Sequence, residues 1–134
     1  MNAVEFNPVS PTAGAVPTIL VVEDDILIRL VTSDYLRDNG FVVIEASNAD
    51  EAVRLLKASE VIDLVFSDIN MPGEMDGFGL ADWIAQNQPH LKVMLTSGVA
   101  RHDPATGPAS QAPLLPKPYR QEELIRRLRV MLAG

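Results

Sequence analysis

Between Thr18 and Leu132 the chain alternates short, almost wholly apolar runs with segments whose apolar residues recur every three or four positions. The runs are Ile19-Leu20-Val21-Val22, Phe41-Val42-Val43-Ile44, Leu64-Val65-Phe66, Val93-Met94-Leu95 and a brief Leu114-Leu115. Helix-period stretches lie at Ile26 to Asn39, Ala49 to Lys57, Gly77 to Gln86 and Gln121 to Leu132. The pattern predicts five strands and at least four helices. In the second stretch Ala49, Ala52, Val53 and Leu56 share one helical face, and Asn48 with Glu51 has the form of a capping box. In the last, Leu124, Ile125, Leu128, Met131 and Leu132 make an apolar face, with Glu122/Arg126 and Glu123/Arg127 spaced for i,i+4 ion pairs on the other. Gly40 is placed to end the first helix. Strands made of Val, Ile, Leu and Phe are apolar toward both faces, so a parallel sheet between two helical layers, an α/β fold, is the arrangement that buries them.

Two stretches depart from this pattern. Residues 1–17 carry Pro8, Pro11, Gly14 and Pro17 without a sustained period, which reads as a flexible tail or linker ahead of a domain at 18–134. Residues 98–112 hold Gly98, Pro104, Gly107 and Pro108, so a short helical turn or a loop is expected where a fourth crossover helix would lie.

Composition narrows the function. A length of 134 residues, 47% of them hydrophobic and 22% charged, suits one folded domain. With 18 acidic and 11 basic residues the net charge is −7, which leaves no field to attract a phosphate backbone and excludes nucleic acid as a direct partner. The absence of cysteine excludes disulfides, thiolate metal sites and thiol catalysis, and His90 and His102 alone cannot make a histidine-rich metal site. No secretion signal opens the chain and no apolar run approaches the roughly 18 residues of a membrane span, so no membrane insertion and a cytoplasmic location are expected.

In an open parallel sheet, ligands bind beyond the carboxyl ends of the strands. There the first run meets Glu23-Asp24-Asp25, the third Asp68, the fourth Thr96-Ser97, and the fifth Lys117. Each has an ordinary reading. The three acids could open the next helix, Asp68 in Asp-Ile-Asn-Met-Pro-Gly could be a turn residue, Thr96 a strand threonine and Lys117 a solvated lysine. Trp83 reads as packing, and the two histidines as inert loop residues. Taken together, the groups suit phosphoryl transfer to a carboxylate. Ionised acids repel by about 4 kcal/mol per pair at about 4 Å and an effective dielectric near 20, so a cluster of them calls for a hard divalent cation such as Mg2+. A carboxylate beside that ion can attack phosphorus, while a hydroxyl and an ammonium neutralise the phosphoryl oxygens. Glu23, Asp24 and Asp68 are all expected to be ionised near neutral pH.

Ile-Leu-Val-Val-Glu-Asp-Asp (19–25), Asp-Leu-Val-Phe-Ser-Asp-Ile-Asn-Met-Pro-Gly (63–73), Met-Asp-Gly (75–77), Leu-Thr-Ser (95–97) and Leu-Pro-Lys-Pro-Tyr (115–119) together resemble the receiver domains of two-component response regulators. The resemblance runs from Thr18 to Leu132. It implies a doubly wound five-stranded parallel sheet of flavodoxin-like order 2-1-3-4-5, with helices on both faces and a short or degraded fourth helix. It further implies that Asp68 accepts phosphate from a sensor histidine kinase or phosphotransfer protein. Glu23, Asp24, Asp68 and the backbone carbonyl of Asn70 would hold Mg2+. Thr96 and Lys117 would contact the phosphoryl group, and Ser97 would be the small neighbour that admits it. The Lys117–Pro118 bond resembles one that is cis in the family. Two features depart from the common pattern: Leu114 stands where an aromatic residue is usual, and Glu74 lengthens the loop after Asp68. The implied function is a signalling switch working through altered protein contacts, not an enzyme, either free-standing or part of a larger protein, since no output domain follows Leu132. The alternatives are a dehalogenase-like aspartyl phosphotransferase or phosphatase, which would need an acid where Asn70 stands, and an inactive α/β binding module.

Overall fold

The computed structural model describes residues 16–59, 61–98 and 112–134. The short helical turn or loop expected at 98–112 falls almost wholly outside them, as does most of the 1–17 segment. The described chain runs β1 (Thr18–Val22), α1 (Ile26–Asp38), β2 (Val42–Ala46), α2 (Ala49–Ala58), β3 (Leu64–Asp68), α3 (Gly77–Asn87), β4 (Lys92–Ser97), β5 (Leu114–Pro116) and α4 (Gln121–Ala133). All pairings are parallel, in the order β2-β1-β3-β4-β5.

The pleat explains the two layers. Along β1, Ile19 and Val21 point to one side and Leu20 and Val22 to the other, and all four are essentially fully buried. The first side packs with Leu36 of α1 and Leu124, Ile125 and Leu128 of α4. The second packs with Ala49, Ala52 and Leu56 of α2 and Leu80 and Ile84 of α3. A smaller cluster joins Ile69, Ala81 and Leu95 at the β4 side. Trp83 lies partly buried in the second layer, as packing.

Helix ends follow the local chemistry. Asp25 caps α1, its side chain accepting from the N–H groups of Leu27 and Ile28 at 2.9 and 3.1 Å. Gly40 ends the helix region with φ +93°, open to glycine at little cost. Asn48 caps α2 by accepting from Glu51 N–H at 2.8 Å, but Glu51 reaches back to the N–H and hydroxyl of Ser47 rather than to Asn48. The pairing on α4 also differs from expectation. Glu123 takes both Arg126 and Arg127, at 2.6 and 3.0 Å, because a glutamate one turn back reaches either i+3 or i+4. Strand β2 starts one residue later than the apolar run, since Phe41 N–H closes the α1 turn on Leu36 O.

Candidate functional site

Register brings the strand ends together. Val22 lies beside Ser67, Asp68 beside Thr96, and Ser97 beside Pro116, so Glu23 and Lys117, each one step past a strand, flank Asp68. Glu23 N–H donates to Ala46 O at 3.0 Å and Lys117 N–H to Ser97 O at 2.9 Å, extending the ladders into the site. Asp68 is 8% exposed and Glu23 6%, whereas Asp24 faces solvent. Lys117 Nζ lies 3.2 Å from Asp68 Oδ2 and 3.4 Å from Glu23 Oε1. The other oxygens are held by main chain: Asn70 N–H donates to Asp68 Oδ1 and Asp25 N–H to Glu23 Oε2, both at 3.1 Å. The Lys117–Pro118 peptide is cis.

The helix that follows Asp68 comes unusually close. Gly77 N–H donates to Ile69 O at 2.9 Å, and a Cβ on Gly77 would stand 2.5 Å from Asp68 O. Only glycine lets the start of α3 approach the Asp68 peptide. Behind the acids, Arg29 Nη1 donates to Glu23 O at 2.8 Å.

Two hydroxyls complete the pocket. Thr96 Oγ1 donates to Leu115 O at 2.6 Å, so its proton is committed away from Asp68. Ser97 Oγ accepts from the Asn70 side-chain amide at 2.9 Å, and that amide supplies no acid group beside Asp68.

The electrostatics depart from the expectation of three ionised acids. Burial first, and then the Asp68 charge, raises Glu23 from 4.5 to about 7 against the opposing pull of the Asp25 N–H and Lys117, so it is part-protonated at neutral pH. Burial alone would lower Lys117, but the charges of Asp68 and Glu23 and their hydrogen bonds outweigh it and hold the ammonium above its ordinary value.

One carboxylate oxygen each of Glu23, Asp24 and Asp68 lies within 4.8 Å of the others. An all-oxygen donor set with one solvent-facing member fits a hard divalent cation that keeps water ligands. The ordinary reading holds for Asp25, which is a helix cap.

Comparison with known proteins decides the family: residues 19–129 match the response regulator receiver domain. The chain belongs to this family. The response regulator FleR of Pseudomonas aeruginosa is 38% identical to this receiver over 109 residues, 80% of this chain and 23% of that protein. The sensor kinase CckA of Brucella abortus is 32% identical over 118 residues, 86% of this chain and 12% of CckA. The chain thus spans less than a quarter of either relative. Among solved structures, the response regulator TrrA of Thermotoga maritima, in complex with Mg(2+)-BeF, superposes with a TM-score of 0.78 at 25% identity, covering 87% of this chain and 99% of that one. The receiver is a phosphorylation-switched signalling domain of two-component systems, not an enzyme in the ordinary sense.

Of the residues read from the sequence, Glu23, Asp24, Asp68, Asn70, Thr96, Ser97 and Lys117 all lie at this strand edge. His90 stands in the α3–β4 connection, away from it; His102 lies outside the described residues. Sequence reasoning missed Arg29, Glu45 and the close approach at Gly77. The one signal for Arg29 was a lone charge inside the apolar run Ile26-Leu27-Ile28-Arg29-Leu30-Val31.

Proposed function

We propose that Asp68 is the phosphoacceptor of this receiver and that a phosphohistidine on a sensor histidine kinase or phosphotransfer protein is the donor. The observation that carries this reading is the buried Asp68 carboxylate with Lys117 Nζ 3.2 Å from one oxygen and two further carboxylates beside it. In the transfer, an Asp68 carboxylate oxygen attacks phosphorus. A P–O bond forms as the P–N bond to histidine breaks, and the bonding pair stays on the imidazole nitrogen, which takes up a proton. Glu23, Asp24, Asp68 and the Asn70 carbonyl would hold Mg2+, which when bound neutralises charge on the phosphoryl oxygens. Lys117 neutralises part of the same charge from its place between Asp68 and Glu23. Thr96 gives up its bond to Leu115 O to reach the phosphoryl group, and Ser97 is the small neighbour that leaves room for it.

The partner side is supported by α1, where Ile26, Leu27 and Val31 are more than half exposed beside the site. Apolar area of this kind is covered by a protein rather than left to water. The receiver unit spans 18–134, with 1–17 outside it as a tail or linker on its composition. Among the described residues no helix is long and apolar enough to cross a membrane. A cytoplasmic location is the reading that a kinase donor and a cysteine-free sequence support. The chain's own chemistry is then limited to taking up and losing its phosphate.

Incubation with acetyl phosphate and Mg2+, followed by intact-mass measurement, tests the assignment. The wild type gains one phosphate and Asp68→Asn gains none. Equal labelling of the two would overturn it, and sustained turnover of acetyl phosphate without a stable mass gain would favour the phosphatase reading instead.

A further inference from the structure

Arg29 sits on α1 among residues that face outward, yet its side chain is only 16% exposed. Ile26, Leu27, Leu30 and Val31 are open to solvent around it, the reverse of the usual order of a surface helix. Its guanidinium is spent on two partners: Nη1 on Glu23 O at 2.8 Å and Nε on Glu45 Oε1 at 3.1 Å. Glu45 lies in β2 and is itself braced, its Oε2 accepting from Arg37 Nη2 at 3.1 Å.

We propose that Arg29 is a positioning residue for the acid cluster, pinning the Glu23 peptide between α1 and β2 so that the Glu23 carboxylate keeps its spacing to Asp24 and Asp68. This rests on the reading of the cluster as an Mg2+ site. Glu23 stands at the junction where strand geometry gives way to helix geometry. Its N–H is tied to Ala46 O, and its carbonyl to Arg29, so the peptides on both sides of its Cα are fixed. Only side-chain torsions remain, and contacts from Asp25 N–H and Lys117 Nζ restrain those. A glutamate has one more torsion than an aspartate, so any backbone rotation is magnified at its carboxylate. Partners behind metal ligands commonly change metal affinity by about 10- to 100-fold when removed.

The sign of the effect separates positioning from charge. Deleting a cation near an acidic site strengthens cation binding if charge alone matters. Positioning predicts the opposite.

The test is titration of the metal-free protein with Mg2+ alone at fixed ionic strength, reading Kd by calorimetry for wild type, Arg29→Gln, Arg29→Lys and Arg37→Gln. Arg29→Gln should weaken Mg2+ binding about tenfold or more, and Arg29→Lys less, because an ammonium can serve the carbonyl or Glu45 but lacks the fork that serves both. Arg37→Gln, which loses Glu45 but does not touch Glu23, should lower stability and leave Kd within about twofold. If Arg29→Gln does not fold, Arg29→Lys takes its place: it keeps the charge and loses the fork that serves both Glu23 O and Glu45, so weaker binding marks lost positioning and unchanged binding overturns the proposal. Unchanged or tighter binding by Arg29→Gln, or equal weakening by Arg37→Gln, overturns the proposal. A wild type that binds no Mg2+ overturns the metal reading and this proposal with it, whereas a binding wild type matched by Arg29→Gln sinks the proposal alone.

Discussion

Glu23→Gln should make the metal-free receiver more stable at pH 8 than the wild type, and the advantage should vanish toward pH 5. Burial and the neighbouring Asp68 raise Glu23 from 4.5 to about 7, so between those values the native state holds a proton that the unfolded chain has released. Native stability from this group is therefore fully present below about pH 4.5 and lost as pH rises through about 7. At about 1.4 kcal/mol per pH unit, the interval is worth on the order of 3 kcal/mol. Glutamine escapes this loss because it does not ionise. It keeps an oxygen for the Asp25 N–H, and Lys117 keeps Asp68 at 3.2 Å, so no buried charge is orphaned. In a domain of this size the difference corresponds to roughly 10 °C in Tm at pH 8. Thermal unfolding of both proteins in EDTA at several pH values between 5 and 8 measures it, and subtracting the two curves removes the carboxylates they share. Added Mg2+ should raise the wild-type midpoint more at pH 8 than at pH 5, because the ion competes with the Glu23 proton, and should raise that of Glu23→Gln less. Parallel pH curves in EDTA would refute the argument, as would a wild-type Mg2+ response independent of pH.

Gly77→Ala should destabilise by about 1–3 kcal/mol and slow acetyl phosphate labelling, since the new methyl meets Asp68 O at 2.5 Å; urea unfolding and mass spectrometry read the two effects. Ser33 Oγ is buried and has no hydrogen-bond partner among the described residues, so Ser33→Ala should be neutral or stabilising by about 1 kcal/mol in urea unfolding, and a loss of 2 kcal/mol or more would contradict that. Leu27 is 70% exposed on α1, so Leu27→Asp should leave acetyl phosphate labelling intact. The same change should cut transfer from a phosphohistidine protein donor that labels the wild type by about tenfold, read as initial rate at low receiver concentration. An equal loss with acetyl phosphate would mean damage to the site rather than to the docking face.

The strands, the four described helices and the residues at the strand ends were legible in the chain because each depends on local pattern. Short apolar runs, a helical face at Ala49, Ala52 and Leu56, and a capping Asn48 act within a few positions of themselves. Asp68 and Lys117 could be singled out because parallel topology makes every strand end at the same edge. What each acid does there was not local. Asp25 became a helix cap, Asp24 stayed in water, and Glu23 was buried and half-neutralised, although the three are adjacent in sequence. Burial, not residue type, set that division, and burial follows from the way β1, β2 and β3 align. The Thr96 hydroxyl turned to Leu115 O, Arg29 was drawn inward by Glu45 sixteen residues away, and Gly77 met the Asp68 backbone. Each of these contacts joins segments distant in the chain, so the spacing of residues determined which groups reach the edge, and only the packing of the sheet against its helices decided how they face one another.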